Sequence, residues 1–236
     1  MKVLVVDSGG RGHAIAWQFK NDPEVKEVIC APGNVGIARE IRCDNARTNE
    51  EILELTRRGK VFGEAGQKVV IEKRLYGIEI SFFFFTDGEA IAPMPVAQDY
   101  KRAYDNDEGL NTGGMGAYSP HRLEGEKLNS LVSEKIAMPL IRGFAEKEGI
   151  PYKGILYLGL MLVEETPYVL EVNVRLGDPE AEVILPRLKT PLSDISFQII
   201  NGVLSEKKVE WSYEYFCDVV AAAGRTRQVK NGRSKG

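Results

Sequence analysis

Histidine and cysteine are scarce in this chain of 236 residues: there are two histidines, His13 and His121, and three cysteines, Cys30, Cys43 and Cys217. Two histidines exclude a histidine-rich metal centre. The cysteines are odd in number, widely spaced and form no C-x-x-C pair, which argues against a disulfide framework or a thiolate zinc site and predicts reduced thiols. An excess of positive charge is also missing. With 31 Lys and Arg against 34 Asp and Glu, nothing in the balance points to nucleic acid or to an anionic membrane surface. Long apolar runs are absent too. Ile78 to Phe85 and Ile155 to Val163 are the longest, and both fall short of the ~20 residues that cross a bilayer; they read as buried strands. The start, Lys2-Val-Leu-Val-Val6, goes directly into a β pattern without the tripartite layout of a signal peptide. These absences predict a cytoplasmic globular protein, monomeric, with small-molecule partners, no nucleic acid and no membrane. The 43% hydrophobic content is enough for a core.

What is present centres on Tyr168-Val-Leu-Glu-Val-Asn-Val-Arg-Leu-Gly-Asp-Pro-Glu180. Its β-formers predict a strand in which Glu171, Asn173 and Arg175, at i, i+2 and i+4, point to one face. A carboxylate beside an amide oxygen suits Mg²⁺, a hard cation usually held by one or two carboxylates and substrate phosphates, while Arg175 suits a phosphate. An edge strand with an ordinary solvated face has the same pattern. Gly177-Asp178-Pro179-Glu180 then ends the strand and can start a helix with Pro in its first turn, placing two more carboxylates nearby.

Earlier in the chain, the strand Val3 to Val6 leads through Ser8-Gly9-Gly10-Arg11-Gly12-His13 into a helical pattern. Such a loop suits a phosphate at a helix N-terminus, or is a plain βα turn. Its spacing is not a full G-x-G-x-x-G, which argues against a dinucleotide. A second strand, Val25 to Ala31, breaks at Pro32-Gly33-Asn34. Thr48 can cap a helix through Arg58. The glycine-rich 59–66 reads as a junction. Beyond it, Lys68 to Leu75, Ile78 to Thr86 and Glu89 to Met94 read as antiparallel strands, the last two joined at Thr86-Asp87-Gly88. Glu72 and Glu79, read alone, are surface charges. Pro93 to Tyr118 reads as a long glycine-rich loop, with Asp99, Lys101 and Arg102 able to hold a polyphosphate or an amine. Lys127 to Lys147 is amphipathic and should cover a sheet. Gly154 to Glu164 and Pro167 to Arg175 form a hairpin, 180–188 and 192–204 are helical, and Tyr215 to Ala223 starts a further strand. The basic end, from Arg225, reads as loose.

Six segments in matching order, Ser8-Gly-Gly-Arg, Pro32-Gly-Asn, Ala97-Gln-Asp-Tyr-Lys-Arg, Asn111-Thr-Gly-Gly-Met-Gly-Ala-Tyr, Lys153-Gly-Ile-Leu-Tyr and Glu171-Val-Asn-Val-Arg-Leu-Gly-Asp-Pro-Glu, closely resemble the phosphoribosylamine–glycine ligases. That resemblance covers nearly the whole chain. It implies an α/β protein, α+β in its second region: an ATP-grasp fold behind an N-terminal Rossmann-like βαβ region of the kind that precedes biotin carboxylase. Domains would run over 1–59, 60–204 and 205–236, each of the first two partial. The implied activity is ligation of glycine to 5-phosphoribosylamine in purine biosynthesis, with ATP and Mg²⁺ or Mn²⁺, through a glycyl phosphate. By resemblance, Glu171 and Asn173 hold the metal, and Arg175, Asp99 and Lys101 are catalytic. Glu72, Lys73, Leu75 and Glu79 line ATP. Gly9, Gly10, Arg11 and Asn34 hold the phosphoribosyl group, with Asn111, Asp178, Pro179 and Glu180 completing the substrate end.

Two departures stand out. Gly12 occupies a position where the family usually has Glu, which loosens the first helical turn by about 1 kcal/mol. Between Gly59 and Val61, the rest of the N-terminal domain and the phosphate-covering part of the grasp are missing, and Gly236 falls inside the family's C-terminal domain. The alternative function is therefore an inactive truncated remnant that only binds nucleotide or phosphoribosyl ligands.

Overall fold

The structure is a computed structural model, and it describes residues 2–7, 9–34, 36–39, 41–43, 73, 75–206 and 208–221. The predicted helix from Thr48, the glycine-rich junction, Glu72 and nearly all of the strand predicted over 68–75 lie outside these residues.

The N-terminal strand–loop–helix reading holds. β1 (Lys2–Asp7) leads into α1 (Gly10–Lys20) and then β2 (Glu27–Pro32), which lies parallel to β1 from Lys2 opposite Glu27 to Asp7 opposite Pro32. A short β3 (Arg42–Cys43) continues the parallel sheet beside β2. Val5, Ala16, Val28, Cys30, Ile37 and Ile41 form a small core. Cys30 is a buried thiol that donates to the Asp7 carbonyl at 3.4 Å, and Cys217 is an exposed thiol.

The centre is a four-stranded antiparallel sheet in the order β11-β10-β4-β5, built from β4 (Ile78–Thr86), β5 (Ile91–Pro93), β10 (Gly154–Val163) and β11 (Thr166–Asn173). Its middle strands are buried on both faces, which is why Phe82 to Phe85 show no alternation of polarity. On one face Ile80, Phe82, Phe84, Leu156, Leu158, Leu160 and Leu162 pack beneath Val132, Ala137 and Ile141. These three come from the predicted amphipathic helix, realised as α2 (Glu126–Val132), a π turn (Ser133–Ala137) and α3 (Met138–Glu148). Gly149, at φ 68°, ends it in a left-handed conformation that favours glycine.

The stretch from Pro93 to Tyr118 is not the long loop that its polarity predicts. It contains β6 (Gln98–Asp99), β7 (Arg102–Tyr104), β8 (Glu108–Asn111) and β9 (Gly116–Ser119). β7 pairs with β8, and β9 lies between β6 and β12 (Phe216–Val219) in a second antiparallel sheet. Strands of two to four residues carry too little periodicity to be seen without their partners. α4 (Glu180–Ile184) runs on as a 3₁₀ turn, Leu185–Arg187, and α5 (Leu192–Asn201) ends at Gly202. Pro179 stands just ahead of α4 rather than in its first turn. Ile15 and Phe19 of α1 pack against the core that contains Ala181, Ile184, Leu185 and Ile195. Among the described residues no helix is long and apolar enough to cross a membrane.

Candidate active site

The sheet face opposite α2 and α3 carries the polar groups. On β11 the register shifts between Gly159 and Leu160, so that Val169 faces Leu160 and Glu171 faces Gly159. Past this bulge Glu171 and Asn173 share the site face. Gly159 is required there, because a Cβ would stand 2.8 Å from Glu171 Cγ. Arg175 departs from the prediction. The strand ends at Asn173, and Arg175 turns away to donate from Nη1 to the Leu176 carbonyl at 2.9 Å. From β4, Glu79 meets the Lys101 ammonium in a short ion pair, and Lys101 Nζ lies 4.0 Å from Glu171 Oε1. Burial works against the Lys101 charge, but the Glu79 hydrogen bond and charge, with Asp99 and Glu171, carry its pKa upward. Lys101 thus bridges two carboxylates of the sheet. Asn173 Nδ2 is buried without a hydrogen-bond partner among the described residues.

A second group of carboxylates meets this face from α4. Glu180 is buried, and its Oε1 accepts a 2.9 Å hydrogen bond from the Ser81 hydroxyl, next to Gly159 in the sheet. Gly177 leaves the space that the Glu180 carboxyl fills, since any Cβ there would collide with it. Gly114, at φ 126°, is a further position that favours glycine: a Cβ would stand 2.5 Å from Pro179 Cδ and 3.2 Å from Asp99 Oδ1. Asp99 Oδ1 is buried without a hydrogen-bond partner among the described residues. Burial, then the Glu180 charge, raise the Asp99 carboxyl to about 7 against the pull of Lys101.

The glycine loop is lined by acids. Arg11 donates from Nε and Nη2 to Asp7 Oδ2 at 3.0 and 2.8 Å, and Gly9 N–H donates to Asp7 Oδ1 at 2.8 Å. Arg11 N–H approaches Asp178 Oδ2 at 3.4 Å. A Cβ on Gly10 would run into the Glu182 carboxyl. Burial, with the charges of Asp178, Asp218 and Glu180, pushes the Glu182 carboxyl up to about 7. Three carboxylates, Asp7, Asp178 and Glu182, therefore surround the loop, and Arg11 is paired with one of them. Gly12 also gains a reason that helix propensity does not supply. It is buried against Asp7, whose Cγ would lie 2.8 Å from a Cβ at position 12.

The remaining predicted residues scatter more widely. Asn34 accepts the Ile37 N–H at 2.9 Å through its side-chain oxygen, capping a 3₁₀ turn. Asn111 lies on β8 opposite Arg102. Lys73 is exposed and Leu75 half-buried ahead of β4. Sequence reasoning missed Ser81, Tyr157, Gly159 and Glu182. Ser81 was detectable as one of two hydroxyl residues, with Thr86, in a largely apolar strand, and Gly159 as a glycine inside one; Glu182 looked like ordinary helix charge.

An antiparallel sheet with an acidic, lysine-bridged face, beneath a glycine loop, has the architecture of an ATP-grasp protein. Residues 16–181 match the family described as phosphoribosylglycinamide synthetase, ATP-grasp (A) domain, and the chain belongs to that family. It is 44% identical over 184 residues to the phosphoribosylamine–glycine ligase of Caldanaerobacter subterraneus subsp. tengcongensis, covering 78% of this chain and 44% of that one. With the phosphoribosylamine–glycine ligase of Vibrio parahaemolyticus it shares 42% over a span of 340 residues, 95% of this chain and 79% of that one. That span exceeds the 236 residues here, so the relative carries internal residues with no counterpart, as the predicted internal absence requires. The crystal structure of phosphoribosylamine–glycine ligase from Thermotoga maritima superposes with a TM-score of 0.74 at 28% identity, covering 100% of this chain and 83% of that one. The chain spans less than half the length of the first of these relatives.

Proposed function

We propose that this chain serves the ATP-dependent ligation of glycine to 5-phosphoribosylamine, giving glycinamide ribonucleotide, ADP and phosphate. The observation that carries the reading is the convergence of Glu79, Lys101, Glu171, Asp99 and Glu180 on one sheet face, in a chain of this family. ATP-grasp ligases use ATP and a divalent cation, and the face fits such a cation. Glu171 and the Asn173 amide supply hard oxygens, and the ammonium of Lys101 already sits between the carboxylates Glu79 and Glu171. Among the described residues no three His, Cys, Asp or Glu side chains group to hold a metal, so Glu171 and Asn173 would share Mg²⁺ or Mn²⁺ with substrate oxygens. When bound, the cation would neutralise phosphate charge during transfer.

The residues themselves position and neutralise. Lys101 offsets charge on the transferring phosphoryl group, and Glu79 keeps the ammonium in place. Lys73, Leu75 and Glu79 lead into the strand end where the nucleotide base and ribose would lie, with Glu72 ahead of them. Arg175 would have to leave the Leu176 carbonyl to reach a phosphate. The acids Asp99, Asp178 and Glu180, over Pro179 and Gly114, suit the ammonium of glycine and the incoming amine. Gly9, Gly10, Arg11 and Asn34, with Asn111, are the phosphoribosyl end. The relatives' names give the inactive-remnant alternative no support.

Glu171→Ala tests the assignment. It removes a half-exposed carboxylate but no core packing, and metal-dependent ADP formation should fall on the order of 100-fold or more. Wild-type turnover in a folded variant would remove Glu171 from the metal site.

A further inference from the structure

Ser81 and Tyr157 are buried polar side chains on the site face to which the proposed reaction gives no part. Each is 3% exposed. Ser81 donates to Glu180 Oε1 at 2.9 Å, and the Tyr157 hydroxyl lies 3.4 Å from Ser81 Oγ. The Tyr157 ring is fixed by stacking on Phe83, with centroids 4.6 Å apart. Burying a carboxylate such as Glu180, 2% exposed, is costly unless donors face it. Two hydroxyls arranged in series supply them, and Gly177 clears the space. Asp99 stands across Gly114 and Pro179 from this group, its Oδ1 turned inward without a hydrogen-bond partner among the described residues.

We infer that Ser81 and Tyr157 are positioning residues that hold Glu180 as the charged partner of Asp99, and that Asp99 takes the proton shed by the attacking amine. The inference rests on the ligase reading above. In that step the amine lone pair forms the C–N bond at the acyl phosphate carbon. The bond from that carbon to the phosphate oxygen breaks, and its electron pair leaves with phosphate. The surplus proton on nitrogen passes to the Asp99 carboxylate and from there to solvent. The groups facing Asp99 set its readiness. Glu180 from α4, Glu79 from β4 and Asp178 from the turn before α4 oppose its charge, and Lys101 favours it. After burial, the Glu180 charge is the largest influence, and the outcome near 7 suits a base at neutral pH.

The test is the pH dependence of kcat/KM for the amine, measured on the full chain with ATP, metal and glycine saturating. The wild type should show an acid limb near 7. Glu180→Gln keeps the shape and removes the charge that opposes ionisation of Asp99, so the limb should move to lower pH. Ser81→Ala and Tyr157→Phe should move it in the same direction by less, because each frees the Glu180 carboxylate to swing away from its place beside Asp99; the plateau should drop about tenfold. Both variants lowering the rate by one factor at every pH, with the limb unmoved, would reduce Ser81 and Tyr157 to packing and overturn the inference. A wild-type chain that forms acyl phosphate from ATP and glycine but shows no acid limb would overturn it while leaving the ligase reading intact. Failure to form any acyl phosphate would overturn both.

Discussion

Glu171 owes its position to a residue with no side chain. Gly159 lets the carboxylate lean over β10, and Gly159→Ala would bring a Cβ within 2.8 Å of Glu171 Cγ. We predict that this variant folds and that its affinity for metal-bound nucleotide falls about tenfold; unchanged affinity in a calorimetric titration would show that Glu171 does not need that space. Glu182 provides a second test. Its folded pKa, about 7, lies above its ordinary 4.5, so the fold favours the protonated form. That advantage is complete below 4.5 and is lost as pH rises through 7. Glu182→Gln should therefore gain thermal stability relative to the wild type across this window and hold a constant gain above it. A difference in Tm that is the same at pH 4.5 and pH 8 would contradict the burial argument. The sequence made Glu171, Asn173 and Glu180 visible through strand spacing and turn chemistry. It showed Ser81 only as a hydroxyl in an apolar strand and left Glu182 as helix charge, because their roles depend on which surface each residue meets, and that is set by packing between distant elements.

Secondary elements of eight residues or more were legible from their periods, as in α1, β4, β10, β11 and α5, because a long apolar pattern leaves few alternatives. Arg175 was misplaced because the alternation Glu171, Asn173, Arg175 continues past Asn173, where β11 leaves β10 although β10 itself reaches back to Gly154. The short β6 to β9 segments were read as loop since their pairing is supplied by β12 and by one another. One turn shows how such elements are joined. Burial raises the Asp87 carboxyl, yet backbone N–H groups of Ala90, Leu204 and Glu89 together bring it below its usual value. Those bonds measure 2.8, 3.0 and 3.1 Å and tie the β4–β5 turn to the segment after α5. Asp87→Ala should cost on the order of 3 kcal/mol, seen as a Tm about 5 to 10 °C lower. The same carboxylate is a source of acid sensitivity. Its contribution is present above pH 3.8 and is lost as pH falls through the lower folded value. A Tm within 1 to 2 °C of wild type at neutral pH, by roughly the same conversion, would show that the turn holds without these bonds.

Over the whole molecule, two sheets and a glycine loop bring together acids from five separate stretches, Asp7, Glu79, Asp99, Glu171 and 178–182. Composition alone reads as small-molecule chemistry, and only the fold shows why the carboxylates outnumber the cations there. Among the described residues β11 is an outer strand of the central sheet, with Val169, Leu170 and Val172 exposed. The longer relatives carry segments this chain does not match. The central claim is that this group of residues activates glycine as an acyl phosphate, and positional isotope exchange tests it without the second amine. ATP labelled with oxygen-18 in the β,γ-bridge is incubated with the full chain, a divalent cation and glycine. Scrambling of the label into the β-nonbridging position, dependent on glycine and lost in Glu171→Ala, is the predicted result. Scrambling that needs no glycine, or that persists in the folded variant, would contradict the account.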